Sequence, residues 1–155
     1  MMSTADVYDE RGEQVASCET QLRSFGARTR FTGVVSTIRC LNDNGLVKQV
    51  LTGTDGRGRV LVVDGGGSLG SALMGDMIAA AAVRNGWEGV VINGPVRDSD
   101  ALAGLDLGIK ALGTNPRTSA KDAAGDVDAP VTFGGATFVA GRRLWADVDG
   151  VLVER

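Results

Sequence analysis

Asp76, Arg97 and Asp98 are the residues of this sequence whose types and placing best suit chemistry. A guanidinium such as that of Arg97 grips a planar carboxylate with two hydrogen bonds. A carboxylate such as that of Asp98 suits a hard divalent cation like Mg²⁺, which keeps several waters and needs few protein ligands. Gly75-Asp76-Met77-Ile78 opens a helical stretch, and the first amides of a helix have no internal partner and carry partial positive charge. They are suited to hold a carboxylate or phosphate, and Gly75 lets a ligand come close to the backbone. Plainer readings compete: Asp76 capping its own helix, and Arg97 with Asp98 as a surface ion pair. Neighbours on an extended chain point to opposite sides, however, so the last two are expected to serve a third party.

The surrounding elements bring these residues to one place. RVLVVD (Arg59–Asp64) reads as a buried parallel strand, Met74–Gly86 as an Ala-rich helix, and GVVING as a second strand, broken by Asn93-Gly94-Pro95. This is a βαβ unit with a right-handed crossover. Its helix start and the Arg97-Asp98 pair then share the carboxyl edge of the sheet, where ligands of open α/β sheets bind. Before this unit, residues 3–26 read as helical with turn breaks, with Ser3 and Thr4 as N-cap candidates. Phe31–Leu41 reads as a strand interrupted at Gly33, and LVKQVLTGTDG fits either a helix or a strand. A third short strand falls around Ile109–Leu112. The last third, broken by Gly-Gly, Gly141-Arg142 and Asp149-Gly150, reads as an antiparallel meander. The expected architecture is a single mixed α/β domain over residues 1–155.

Composition narrows the chemistry. The net charge of −3 and scattered Lys and Arg count against direct nucleic-acid binding. No apolar run is long enough for a membrane span, and the polar, acidic N-terminus does not resemble a secretory signal. Cys18 and Cys40 lack any metal-ligand spacing and read as small buried residues of a reducing compartment, so a cytoplasmic location is expected. With no histidine, His-based triads and His-ligated zinc are excluded. GGGSLG (Gly65–Gly70) matches a dinucleotide fingerprint, but Asn93 stands where that fold wants an acid, and the helix starts well beyond the glycines. A structural or substrate loop is favoured. Asp100 reads as solvated, DVDG (Asp147–Gly150) as a hairpin turn, and Trp87 and Trp145 as core or interface aromatics.

GDMIAAAAVRNGWEGVVINGPVRD resembles the RraA-like family, which includes the regulator of ribonuclease E activity and class II 4-hydroxy-4-methyl-2-oxoglutarate aldolases; members were once labelled menaquinone methyltransferases. The shared pattern is Asp, twenty residues, then Arg-Asp, here Asp76, Arg97 and Asp98. TADVYDE, LRSFGAR, GRVLVVDGGGSLGSAL, LGIKALGTNPRTSAK and ADVDGVLVE extend the likeness nearly end to end. The resemblance implies a β/β/α swivelling-type domain, a homotrimer with active sites near subunit interfaces, and a Mg²⁺ or Mn²⁺ cofactor. It implies that Asp98 binds the metal, that Arg97 contacts substrate, and that the amides of Gly75, Asp76, Met77 and Ile78 hold a substrate carboxylate. Asp76 would orient a metal-bound water. The implied reaction is lyase cleavage of a small 2-oxo acid through a pyruvate enolate: hydroxymethyl-oxoglutarate to two pyruvates, oxaloacetate to pyruvate and carbon dioxide. The alternative it implies is a protein that inhibits ribonuclease E. One departure concerns an acid near the C-terminus, which the family's aldolases take from a neighbouring subunit. Glu154 is present but does not match that role, which favours decarboxylation, a reaction needing no base at a substrate hydroxyl.

Overall fold

The computed structural model describes residues Met1–Arg155. The chain opens with α1 (Thr4–Arg11), a 3-10 turn, and two short strands, β1 (Val15–Ser17) and β2 (Arg23–Ser24). Ser3 caps α1, its hydroxyl accepting the Asp6 amide at 3.1 Å. The helical reading of residues 3–26 is corrected here: Gly12, at φ 56°, ends the helix, and β1 pairs antiparallel with the last strand of the chain.

The site is positioned by the segment that follows: β3 (Phe31–Arg39), α2 (Gly45–Gly53), β4 (Arg59–Asp64), α3 (Asp76–Arg84), β5 (Gly89–Val96), α4 (Ser99–Leu102) and β6 (Gly108–Thr114). These strands pair in parallel in the order β3-β4-β5-β6. Crossovers between parallel neighbours keep one hand, so the three helices share one sheet face, and α3 packs against both α2 and α4. Side chains alternate across the sheet. Leu61, Val63, Val90, Ile92 and Ile109 meet the helices, while Val60, Val62 and Val91 fill the opposite core. Every residue of β5 is buried, as its continuous apolar run demands.

Two interruptions read from sequence turn out otherwise. β3 runs unbroken through Gly33, because a side chain there would stand 2.9 Å from the Gly58 carbonyl; the glycine serves a close approach. β5 continues through Asn93-Gly94-Pro95, with a register shift between Ile92 and Pro95. The Asn93 carbonyl leaves the ladder and accepts the Gly65 and Gly67 amides at 3.1 and 3.2 Å. LVKQVLTGTDG, open between helix and strand, forms α2.

The last third comprises β7 (Asp126–Val127), β8 (Val131–Phe133), β9 (Ala136–Phe138), β10 (Arg143–Asp147) and β11 (Gly150–Glu154). It is not one continuous meander. β8 and β9 form a separate two-stranded sheet, whereas β10 and β11 extend the main sheet from β3 towards β1. DVDG makes the tight turn between β10 and β11, and the Asp147 carboxylate accepts the Thr4 amide and hydroxyl, both at 2.7 Å. Trp87 and Trp145 are both buried within the chain. No helix is long and apolar enough to cross a membrane.

Candidate functional site

At the carboxyl edge of β3–β6, a cavity of about 400 Å³ opens between α2, the start of α3 and the end of β5. Gly75, Asp76, Met77, Ile78, Arg97 and Asp98 all line it. The structure thus brings together every site residue singled out from the sequence.

The local backbone explains how. Arg97 follows β5 directly, and its amide donates to the Met74 carbonyl at 3.0 Å, stitching the strand end to the segment entering α3. Asp98 then leaves the extended conformation, with φ 60° and ψ 40°. Left-handed backbone is uncommon outside glycine, and a short polar side chain such as Asp tolerates it best. The turn sends Asp98 back towards α3, where Oδ2 accepts the Asp76 amide at 3.1 Å. It also corrects the expectation that Arg97 and Asp98 diverge: Arg97 Nε lies 4.0 Å from Asp98 Oδ2, with both side chains half-exposed.

Gly75 makes this approach possible. A Cβ there would fall 2.7 Å from Asp98 Oδ2 and 3.3 Å from Arg97 Cγ. Asp76 is the first residue of α3 and does not cap it with its side chain. The first internal helical bond runs from the Ala79 amide to the Gly75 carbonyl. The amides of Gly75, Met77 and Ile78 therefore have no protein acceptor, while that of Asp76 is engaged by Asp98. Three donors, not four, remain for a ligand.

Other walls come from residues not singled out in the sequence: Asn44 just before α2, Lys48 on α2, Arg84 at the end of α3, and Thr118 and Lys121 on the stretch after β6. The buried Asp43 carboxylate fastens two of these walls together. It accepts amides from Gly45, Asp122 and Ala123 at 2.9, 3.0 and 3.1 Å. Burial alone would raise this carboxyl, but the surrounding amide bonds outweigh it and hold it below the usual carboxylate range.

The residues fit a hard divalent cation. Asp98 offers a half-exposed carboxylate at the cavity, and only one of its oxygens is engaged by a protein donor. No group of three acidic, thiol or imidazole side chains forms a closed cage anywhere in the chain. A cation here would be held by Asp98, by waters and by its ligand, which is how Mg²⁺ commonly binds. Elsewhere, Asp100 is exposed on α4. Glu154 is committed locally, accepting the Arg143 amide and lying 3.9 Å from Arg11. In Gly65–Gly70, the Gly65, Gly66 and Gly67 amides are bonded to Asn93 and Asp64, and α3 begins only at Asp76.

The family profile RraA-like, Aldolase/RraA, matches residues 4–153. The chain belongs to the RraA-like family. Its fold superposes on the RNA-processing inhibitor RraA from Thermus thermophilis with a TM-score of 0.95 and 42% identity, covering 99% of this chain and 93% of that one. A protein of Geobacillus kaustophilus HTA426, described as an S-adenosylmethionine:2-dimethylmenaquinone methyltransferase, matches with a TM-score of 0.96 and 39% identity over 99% and 94% of the two chains. Streptomyces coelicolor RraAS2, called an unusual member of the RNase ES inhibitor RraA protein family, matches at 0.81 and 25% identity over 99% and 81%. The mixed α/β architecture is thus that of RraA proteins.

Proposed function

We propose that this chain is a divalent-metal-dependent lyase for short 2-oxo acids, cleaving 4-hydroxy-4-methyl-2-oxoglutarate to two pyruvates and oxaloacetate to pyruvate and carbon dioxide. The observation that carries this reading is the meeting of the Arg97 guanidinium, the Asp98 carboxylate and the unpartnered start of α3 around one cavity.

Asp98 holds the cation, Mg²⁺ or Mn²⁺, and the Asp76 amide fixes the orientation of its carboxylate. When bound, the cation supplies Lewis-acid polarisation of the keto oxygen. The amides of Gly75, Met77 and Ile78 receive the substrate carboxylate, where the helix dipole favours negative charge. Arg97 stabilises the negative charge that develops on the enolate oxygen as the carbon–carbon bond breaks. The Asp76 side chain orients water beside Asp98. Mixing the protein with Mg²⁺ and either substrate should release pyruvate well above background, with loss on chelation and in Arg97→Ala. Parental activity in Arg97→Ala, or no metal-dependent pyruvate from the parent, defeats the proposal.

The homotrimer belongs to the same proposal. Leu41, Leu69 and Met77 are exposed at 67%, 58% and 82%, on segments at the carboxyl edge that carries the cavity. Apolar surface of this kind suits contact between copies. Light scattering should give three times the chain mass.

A second reading, a protein-binding inhibitor of ribonuclease E, is favoured by the 42% identity to the Thermus inhibitor. Pull-down against that enzyme at modest salt tests it. Equal inhibition by an Arg97→Ala/Asp98→Ala variant would place that activity outside the cavity.

A further inference from the structure

The first three amides of the Gly65–Gly70 loop are spent inside the chain, and what they are spent on lies at a fork in the sheet. β4 and β5 pair in parallel up to Asp64 and Asn93, which stand opposite each other in register. There β4 ends. β5 runs on to Val96 beside a new neighbour, the segment 72–74. The Leu73 amide donates to the Pro95 carbonyl at 2.9 Å, Met74 bridges Val96, and the Arg97 amide donates to the Met74 carbonyl at 3.0 Å. The chain that leaves the sheet at Asp64 thus loops out and returns to the same side of β5, now carrying Gly75 and the start of α3.

Asp64 and Asn93 hold the root of that loop from both sides of the fork. The Asn93 carbonyl takes the Gly65 and Gly67 amides. Asp64 Oδ1 accepts the Gly66 amide at 2.9 Å and Asn93 Nδ2 at 3.0 Å. Asn93 is 8% exposed, so its side-chain amide has little water to turn to and depends on that acceptor. The root in turn seats Leu73. A Cβ on Gly65 would fall 2.6 Å from Leu73 Cδ1, and one on Gly94 would fall 2.9 Å from it. Gly75 follows two residues later, at most about 7 Å along the chain. A displacement of Leu73 is therefore passed to the contact between Gly75 and Asp98.

Resting on the reading of Arg97 and Asp98 as the reacting pair, we propose that Asn93, acting through Asp64, is a positioning residue for that pair. The Asn93–Asp64 bond fixes the fork, the fork seats Leu73 against Pro95, and Leu73 sets the distance from Gly75 to Asp98. Neither side chain touches the ligand.

An exchange of partners tests this. Asn93→Asp sets two carboxylates where an amide met a carboxylate, and Asn93→Ala removes the donor without adding charge. Asp64→Asn/Asn93→Asp restores one amide and one carboxylate, with an oxygen still in place for the Gly66 amide. Amide hydrogen exchange, read by NMR, needs neither metal nor substrate. In both single variants the Leu73 and Arg97 amides should exchange at least about tenfold faster, beyond any change at the Val35 and Cys18 amides, whose bonds to Arg142 and Val151 lie elsewhere. Mn²⁺ affinity by calorimetry should fall about tenfold in both. The exchanged pair should bring each readout back to within about threefold of the parent. A pair that only stabilises the fold would lower the melting temperature, raise all four amides alike, and leave Mn²⁺ affinity at the parental value well below the melt. That result, or an exchanged pair that folds without recovering either readout, overturns the proposal. Selective exchange with recovery, in a chain that binds no Mn²⁺ and releases no pyruvate, would sink the lyase reading and leave the positioning role standing. Pyruvate release with parental exchange in every variant would do the reverse.

Discussion

Replacing Gly75 with alanine isolates the contact on which the site is built. The backbone at Gly75, φ −126° and ψ −165°, is open to any residue, so alanine adds no torsional strain. Its Cβ, however, would meet Asp98 Oδ2 at 2.7 Å, about 0.6 Å inside ordinary carbon–oxygen contact. The Asp98 carboxylate must move away, and its bond from the Asp76 amide is lost. A hydrogen bond to a charged group contributes about 1.5–3 kcal/mol, or roughly ten- to hundredfold in an equilibrium. Misplacing a ligand by a fraction of an ångström adds a further loss of rate. Gly75→Ala should therefore weaken Mg²⁺ or Mn²⁺ binding, read by calorimetry, at least about tenfold and lower kcat/KM for pyruvate release by about ten- to hundredfold. The lost bond should also lower the melting temperature by several degrees, about 2–4 °C per kcal/mol for a chain of this size. Metal affinity and turnover both within twofold of the parent, in a variant that remains folded at the assay temperature, would refute the reasoning.

Lys110 should be replaceable at a gain. It is 1% exposed, a costly place for a charged ammonium. Burial pushes it down from the usual lysine value, partly countered by Asp147 and Asp149. The unfolded chain thus holds that proton more tightly, so stability should climb as pH rises through the folded value towards the ordinary one. Lys110→Met should melt about 2–4 °C higher at neutral pH and lose that alkaline gain; a lower melting temperature counts against it. Asp43→Ala should cost about 2 kcal/mol, because three amides lose their acceptor. Asp43 is held low in the fold, so its contribution is present above the ordinary carboxylate value and disappears as pH falls through the folded one. A flat acid limb in the difference between parent and Asp43→Ala melts would contradict this. The Cys40 thiol, 5% exposed and pushed up to about 11 by burial and then by Asp43 and Asp64, should resist maleimide at pH 7 until the protein unfolds.

Much of the site was legible because Asp76, Arg97 and Asp98 sit at the ends of the two elements with the clearest sequence pattern. β4 and β5 are continuous apolar runs, and α3 is Ala-rich with Gly86 just beyond its end. Placing their ends at one sheet edge needed only the handedness of a crossover. Lys48 and Asn44 are not legible because LVKQVLTGTDG fits helix and strand alike, and their four-residue spacing faces one cavity only when the segment is helical. Lys121 and Thr118 lie on a stretch without periodicity, brought to the cavity by Asp43, a contact across nearly eighty residues that no local pattern carries. The breaks read at Gly33 and Asn93-Gly94-Pro95 failed for a shared reason. Glycine and proline there answer tertiary demands, a close approach and a bulge, and the strand continues past both.

The most direct test of the central claim is a crystal of this chain grown with Mg²⁺ and soaked in pyruvate. The account predicts a cation against Asp98, the pyruvate carboxylate on the free amides at the start of α3, and Arg97 within hydrogen-bond reach of the keto oxygen. Pyruvate bound elsewhere, or a cavity that takes up neither cation nor acid at saturating concentrations, would contradict it.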